Sequence, residues 1–199
     1  MSEKRPYRKN VRAASQEETR LRIVEATMRL HEEIGPRATT ISAIAEEAGV
    51  QRLTVYRHFP DETAVFRACT AHWLGLNPPP DPATWLGIDG AEARLRAALE
   101  AFYSYYRGTR RMWQAAHRDV DEVPALQEPM AQFAGFIDEI AETLSAGLGL
   151  TGRPASLAGR TIRHALAFST WLEMEMRQID QGGKVDLVLT WISGASAAD

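Results

Sequence analysis

The 199-residue sequence holds a single cysteine, Cys69, so no disulfide can close within the chain and its stability has to come from a packed core. It has no apolar run of the ~18 residues that a membrane-spanning helix needs, and its basic first residues are not followed by the hydrophobic stretch of a secretory signal. Those absences point to a soluble, cytoplasmic protein with no membrane partner. Also missing are a Gly-rich phosphate loop, a His/Cys cluster at metal-ligand spacing and a Gly-x-Ser-x-Gly elbow, and Cys69 has no His-based motif beside it. The expectation is a non-enzyme with no cofactor and no metal. Acidic pairs such as Glu32-Glu33 and Glu46-Glu47 face different sides of a helix and read as solvated surface.

The net charge of −3 is not that of a generally basic nucleic-acid binder, so the distribution matters more than the total. Residues 1–72 hold 12 Lys and Arg against 10 Asp and Glu, whereas residues 73–199 hold 11 against 16. The first twenty residues concentrate Lys4, Arg5, Arg8, Lys9, Arg12 and Arg20. Hydrophobic spacing is helical and no strand alternation stands out, which predicts an all-α fold. Residues 1–15 read as a basic flexible arm, and a first helix over 16–33 places Ile23, Ala26, Thr27, Leu30 and Ile34 on one face until Gly35-Pro36 ends it. Asp61 is a good N-cap for a further helix over 62–74. The stretch Asn77-Pro78-Pro79-Pro80-Asp81-Pro82 then marks a boundary between a domain over 16–75 and one over 76–199. In the second, helices are predicted over 90–107, 109–118, 123–146, 154–178 and 184–196.

The segment from Thr40 to Phe59, TISAIAEEAGVQRLTVYRHF, is the most informative. Ile41, Ile44, Ala45 and Ala48 fall on one buried helical face, with Thr40 in front as N-cap. Gly49 can take the left-handed conformation of a sharp turn. A second short helix follows, with Val55 and Phe59 as buried anchors and a polar, basic outer face. Together these form a helix-turn-helix, and the run GV-QRLT-VYRHFP resembles the DNA-binding domain of the TetR family of transcriptional regulators. The resemblance is specific over roughly residues 18–75, while the remainder matches by length and helical pattern. One departure is Glu62, where the family usually places a lysine near the DNA backbone.

That resemblance implies an N-terminal three-helix DNA-binding domain, a C-terminal helical domain for effector binding and dimerisation, and a palindromic double-stranded DNA operator as partner. A recognition helix in the major groove would let Arg52 and Gln51 read base edges and Leu53 touch a thymine methyl. Thr54, Tyr56, Arg57 and His58 suit the phosphates, with Thr40 and Ser42 adding contacts from the preceding helix. The arm carrying Arg5, Arg8, Lys9 and Arg12 would reach an adjacent minor groove or raise nonspecific affinity. The expected activity is that of a repressor released by a small apolar or aromatic effector. Phe102, Tyr106, Trp113, His117, Phe133, His164, Phe168 and Trp171 are the candidate effector residues; His164, Phe168 and Trp171 fall at i, i+4 and i+7 on one predicted helix, although aromatic residues at helical spacing equally fill an ordinary core. Val185, Val188, Leu189 and Ile192 form an apolar stripe that, by resemblance, joins a four-helix homodimer interface; periodicity alone equally fits packing within one subunit. A protein acting mainly through a protein partner, or a regulator without a ligand, would use the same helix-turn-helix.

Overall fold

Gly35 shows how closely the chain leaving the first helix is fitted against Arg118 and Asp119. It adopts φ +92°, and a Cβ there would lie 1.7 Å from Arg118 Nη2 and 2.6 Å from Asp119 Oδ2, so only glycine fits the exit from the first helix. The protein is described by a computed structural model covering the backbone of residues 4–196 and the side chains of residues 13–195. Among the described residues it is all helix: α1 (Lys4–Glu33), a 3-10 turn (Pro36–Ala38), α2 (Ile41–Glu47), α3 (Arg52–His58), α4 (Glu62–Leu76), α5 (Ala83–Leu86), α6 (Ala91–Asp119), α7 (Pro124–Ala146), α8 (Gly152–Leu166), α9 (Phe168–Met176) and α10 (Gln181–Ser196).

Several boundaries differ from those predicted. The first helix begins at Lys4 instead of Gln16, so from Lys4 onward the expected flexible arm has helical backbone. The side chains of Arg5, Arg8, Lys9 and Arg12 lie outside the described residues. Ile34, expected on the buried face, follows the end of α1 and is exposed. The helices predicted over 90–107 and 109–118 are one, α6, because Gly108 is tolerated within it. The α7 helix keeps to the predicted range and runs through Pro129. The last helix begins at Gln181 instead of Lys184, so Gly182 and Gly183 form part of the first turn of α10. The helix predicted over 154–178 is instead broken into α8 and α9 at Ala167, whose φ −70° and ψ 140° are extended.

The chain forms two compact units. One comprises the residues up to Pro78 together with Gln114–Pro129, and the other comprises Pro79–Trp113 with Met130 onward. One division between them falls within the proline-rich stretch, and residues 114–129 group with the N-terminal helices.

In the first unit α1 packs on α2 and α4, and α2 on α3, burying Ile23, Val24, Ala26, Ile44, Val55 and Val65. The carboxylate of Asp119, nearly fully buried, accepts hydrogen bonds from the Arg37 amide at 3.0 Å and from Arg118 Nε at 2.7 Å. Those donors hold it below the usual carboxylate range against the opposing effect of burial. Arg118 Nη2 also donates to the Ile34 carbonyl at 3.2 Å, which ties the end of α6 to the chain leaving α1. Inside, His31 is buried edge-on to Phe66 at 4.4 Å, with Nδ1 3.7 Å from Cys69 Sγ.

In the second unit α8 packs on α9 and α10. The break at Ala167 sits beside two buried phenols of α6. Tyr103 Oη donates to the Ala165 carbonyl at 3.0 Å and Tyr106 Oη to the Leu166 carbonyl at 2.7 Å. These donors serve carbonyls at the C-terminal end of α8, where intrahelical partners run out.

Two measurements check these interiors. Burial lowers the His31 pKa to about 4, with a smaller opposing effect from Asp119. The unfolded chain takes up a proton near pH 6.5 that the folded chain excludes until about pH 4. The depressed folded-state pKa therefore makes stability fall as pH drops through that window, by about 3 kcal/mol in all. Urea denaturation of wild type and His31→Gln from pH 7 to pH 4 should show this slope in the former and its loss in the latter. Separately, Tyr106→Phe leaves the buried Leu166 carbonyl without its phenol donor and should cost about 1–3 kcal/mol by denaturant unfolding; an unchanged midpoint would remove that hydrogen bond from the account of the break.

Candidate functional site

Thr40 begins the helix-turn-helix in extended conformation, and its Oγ1 accepts the Ala43 amide at 3.2 Å. The hydroxyl proton remains available to donate outward. At the other end of α2, Gly49 has φ +66° and the Val50 amide closes back onto the Ala45 carbonyl at 2.9 Å. This is the Schellman closure that a left-handed glycine permits. It delivers the chain directly to Gln51, the N-cap residue of α3, whose side chain makes no cap hydrogen bond.

The α3 helix is anchored from beneath by Val55 and by Phe59, its C-terminal cap residue, both buried. The Arg20 guanidinium lies 5.1 Å from the Phe59 ring centroid, a cation–π contact from α1 that the sequence reading did not identify. With those anchors inside, Gln51, Arg52, Leu53, Tyr56 and Arg57 are exposed, and Thr54 and His58 half-buried. Leu53 is 69% exposed, a large apolar side chain facing outward where no core demands it. Ser42 is exposed near the start of α2. Asp61 caps α4 by accepting the Ala64 amide at 2.8 Å, and Glu62 stands exposed in its first turn. The predicted DNA-contacting residues therefore occupy one short structural stretch. Their chemistry offers a guanidinium and a carboxamide able to make paired hydrogen bonds to base edges, flanked by hydroxyl, phenol and imidazole donors.

Six of the eight candidate effector residues are brought together around Tyr106. Its ring lies 6.1 Å from Phe102, 6.1 Å from Trp113, 6.4 Å from Phe133, 5.3 Å from Phe168 and 5.9 Å from Trp171. Trp113 and Phe133 are closer still, at 4.3 Å. Phe102, Tyr106, Phe168 and Trp171 are buried. The two histidines are placed differently. His117 is exposed and belongs to the first unit. His164 is exposed near the end of α8, where its ring lies 3.3 Å from Thr170 Oγ1. The i, i+4, i+7 face of His164, Phe168 and Trp171 is thus corrected, because the break at Ala167 interrupts it. Tyr105, which sequence reasoning passed over, stacks on Phe133 at 6.3 Å and is held at a pKa of about 12 by burial. Adjacent aromatics turn about 100° apart on a helix, so a single-stripe reading captures only one of them.

The stripe assigned to dimerisation is also corrected. Val185, Val188 and Ile192 are buried within their own chain, where α10 packs on α8, and only Leu189 of the four is partly exposed. No described helix is long and apolar enough to cross a membrane. No group of three metal-ligating side chains gathers among the described residues.

Comparison with known proteins places this geometry in a family. The model of bacterial regulatory proteins of the tetR family matches residues 23–69, the stretch from the core of α1 to Cys69 in α4. The HTH-type transcriptional regulator SrpR of Pseudomonas putida is 40% identical over 96 residues, covering 46% of this chain and 43% of SrpR, so the match spans less than half of that relative's length. TtgW, an uncharacterized HTH-type transcriptional regulator also from Pseudomonas putida, is 38% identical over 96 residues, covering 46% of this chain and 69% of that protein. Among solved structures, NalD of Pseudomonas aeruginosa, the secondary repressor of the MexAB-OprM multidrug efflux pump, superposes with a TM-score of 0.65 at 25% identity over 91% of this chain and 96% of its own. With the helix-turn-helix built as described and relatives of this identity and coverage, the chain belongs to the TetR family of transcriptional regulators, a family of DNA-binding regulators and not of enzymes.

Proposed function

We propose that the protein is a cytoplasmic, homodimeric repressor that binds a palindromic operator through α3 and is released from it by a small apolar or aromatic effector. The observation that carries the DNA reading is the outward face of α3. Among the described residues no hydrogen bond or ion pair engages the side chains of Arg52, Tyr56, Arg57 or His58, so their donors are available to a partner. Arg52 and Gln51 read bases, Leu53 packs against a thymine methyl, and Thr40, Ser42, Thr54, Tyr56, Arg57 and His58 hold phosphates. NalD, which is named as a repressor, supports the sign of regulation.

The aromatic cluster around Tyr106 supports an apolar effector, since a ligand entering among these rings would meet an apolar lining. Linkage bounds the switch: the effector weakens DNA binding by the same factor by which DNA weakens effector binding. For the dimer, Trp191 is the better anchor than the buried valines, because it stands 37% exposed on α10.

Two experiments test the reading. Selection of bound sites from random duplex DNA at near-physiological salt should enrich an inverted repeat for wild type. Arg52→Ala should relax one symmetric base pair, a loss of about 1–3 kcal/mol of discrimination per half-site. Failure to enrich any repeat, or an unchanged preference in the variant, removes Arg52 from base readout. Sedimentation velocity should show a dimer for wild type and a shift toward monomer for Trp191→Arg; a variant that stays fully dimeric places the interface elsewhere.

A further inference from the structure

A cavity of about 410 Å³ lies at the turn between α9 and α10, with Arg107, Trp171, Glu175, Ile179, Gln181 and Lys184 among its walls. Lys184 is the unusual member, because its side chain is only 5% exposed. A buried ammonium is costly unless it is paired, and here Nζ meets Glu175 Oε2 at 2.5 Å and lies 5.9 Å from the Trp171 ring centroid. An ammonium has three protons to donate. One goes to Glu175, and the described residues supply no other hydrogen-bond acceptor for the remaining two.

Arg107 stands at the same cavity with a different balance. Its Nη2 donates to Gln181 Oε1 and to Ser104 Oγ at 3.4 Å, both neutral, and Gln181 is itself held by a hydrogen bond from Nε2 to Ser104 Oγ at 3.0 Å. Among the described residues Arg107 has no carboxylate partner. Two carboxylates share the cavity wall: Glu175 is paired with Lys184, and Asp180 accepts the Gly183 amide through Oδ1 at 2.7 Å while keeping its charge. The cavity therefore joins a guanidinium with only neutral hydrogen-bond partners and an ammonium with donors to spare to the carboxylates of Glu175 and Asp180 and the apolar walls of Trp171 and Ile179.

We propose that this cavity binds a small monocarboxylate, one oxygen taking the free protons of Lys184 and the other the Arg107 guanidinium, with its hydrocarbon body against Trp171 and Ile179. The volume exceeds what an inorganic ion fills, and the carboxylates of Glu175 and Asp180 on the cavity wall leave its two cations matched in charge, which penalises a multiply charged anion. This site is separate from the centre of the aromatic cluster, and it stands whether or not the operator reading holds.

Isothermal titration calorimetry of the full-length protein without DNA tests it, with benzoate, its neutral isostere benzamide and inorganic phosphate as probes. Benzoate should bind with one site per chain, and benzamide and phosphate should bind at least about tenfold more weakly. Arg107→Gln, at an exposed position, should weaken benzoate by about tenfold and leave benzamide unchanged. The double variant Lys184→Met with Glu175→Gln removes the pair without stranding either charge and should abolish the preference for benzoate. Circular dichroism and the thermal midpoint confirm that both variants fold. Absence of saturable benzoate binding overturns the proposal, as does benzamide or phosphate binding as tightly as benzoate, or a benzoate preference that survives both sets of substitutions.

Discussion

Two phenol protons determine much of the second unit. Ending a helix inside a core strands backbone carbonyls, and each buried carbonyl left without a donor costs about as much as a lost hydrogen bond. At the end of α8, Tyr103 and Tyr106 donate to the carbonyls of Ala165 and Leu166. The chain can then turn at Ala167 and restart as α9, which carries Phe168 and Trp171 into the aromatic cluster and leaves His164 outside it. Trp171 in turn forms one wall of the cavity that holds the buried Lys184. The composition of the cluster and the chemistry of the neighbouring cavity both follow from a helix that stops where its side chains alone would let it continue.

Asp119 acts analogously in the first unit, with acceptor and donor exchanged. Its buried carboxylate satisfies the Arg37 amide in the 3-10 turn, while Arg118 from the same helix end takes the Ile34 carbonyl. Gly35 makes this close approach possible. The fitted junction explains why residues 114–129 group with the N-terminal helices although Pro79–Trp113, a stretch of the other unit, intervenes.

The helix-turn-helix was legible in the sequence because its determinants are local. A Thr N-cap, a left-handed glycine and apolar residues three and four apart all act within a few residues, and Thr40, Gly49, Val55 and Phe59 stand as their types dictate. The break at Ala167 was not legible, since no proline or glycine marks it and its donors come from about sixty residues upstream. The α10 stripe misled for another reason. Periodicity identifies which face is buried but not by what, and Val185, Val188 and Ile192 are covered by their own chain. Lys184 escaped notice because a lysine in an amphipathic helix reads as solvated until its surroundings are known.

Cys69 has a practical consequence. Its thiol is buried beside His31, and burial together with Glu32 raises its pKa to about 12. Thiolate is the form that reacts with alkylating reagents, so at neutral pH the native cysteine is both inaccessible and overwhelmingly protonated. A cysteine introduced at an exposed position, such as Glu62 in one unit or Met176 in the other, would be modified selectively in the otherwise unaltered protein. The chain is in this respect ready for site-specific spectroscopic probes without first replacing its own sulfhydryl.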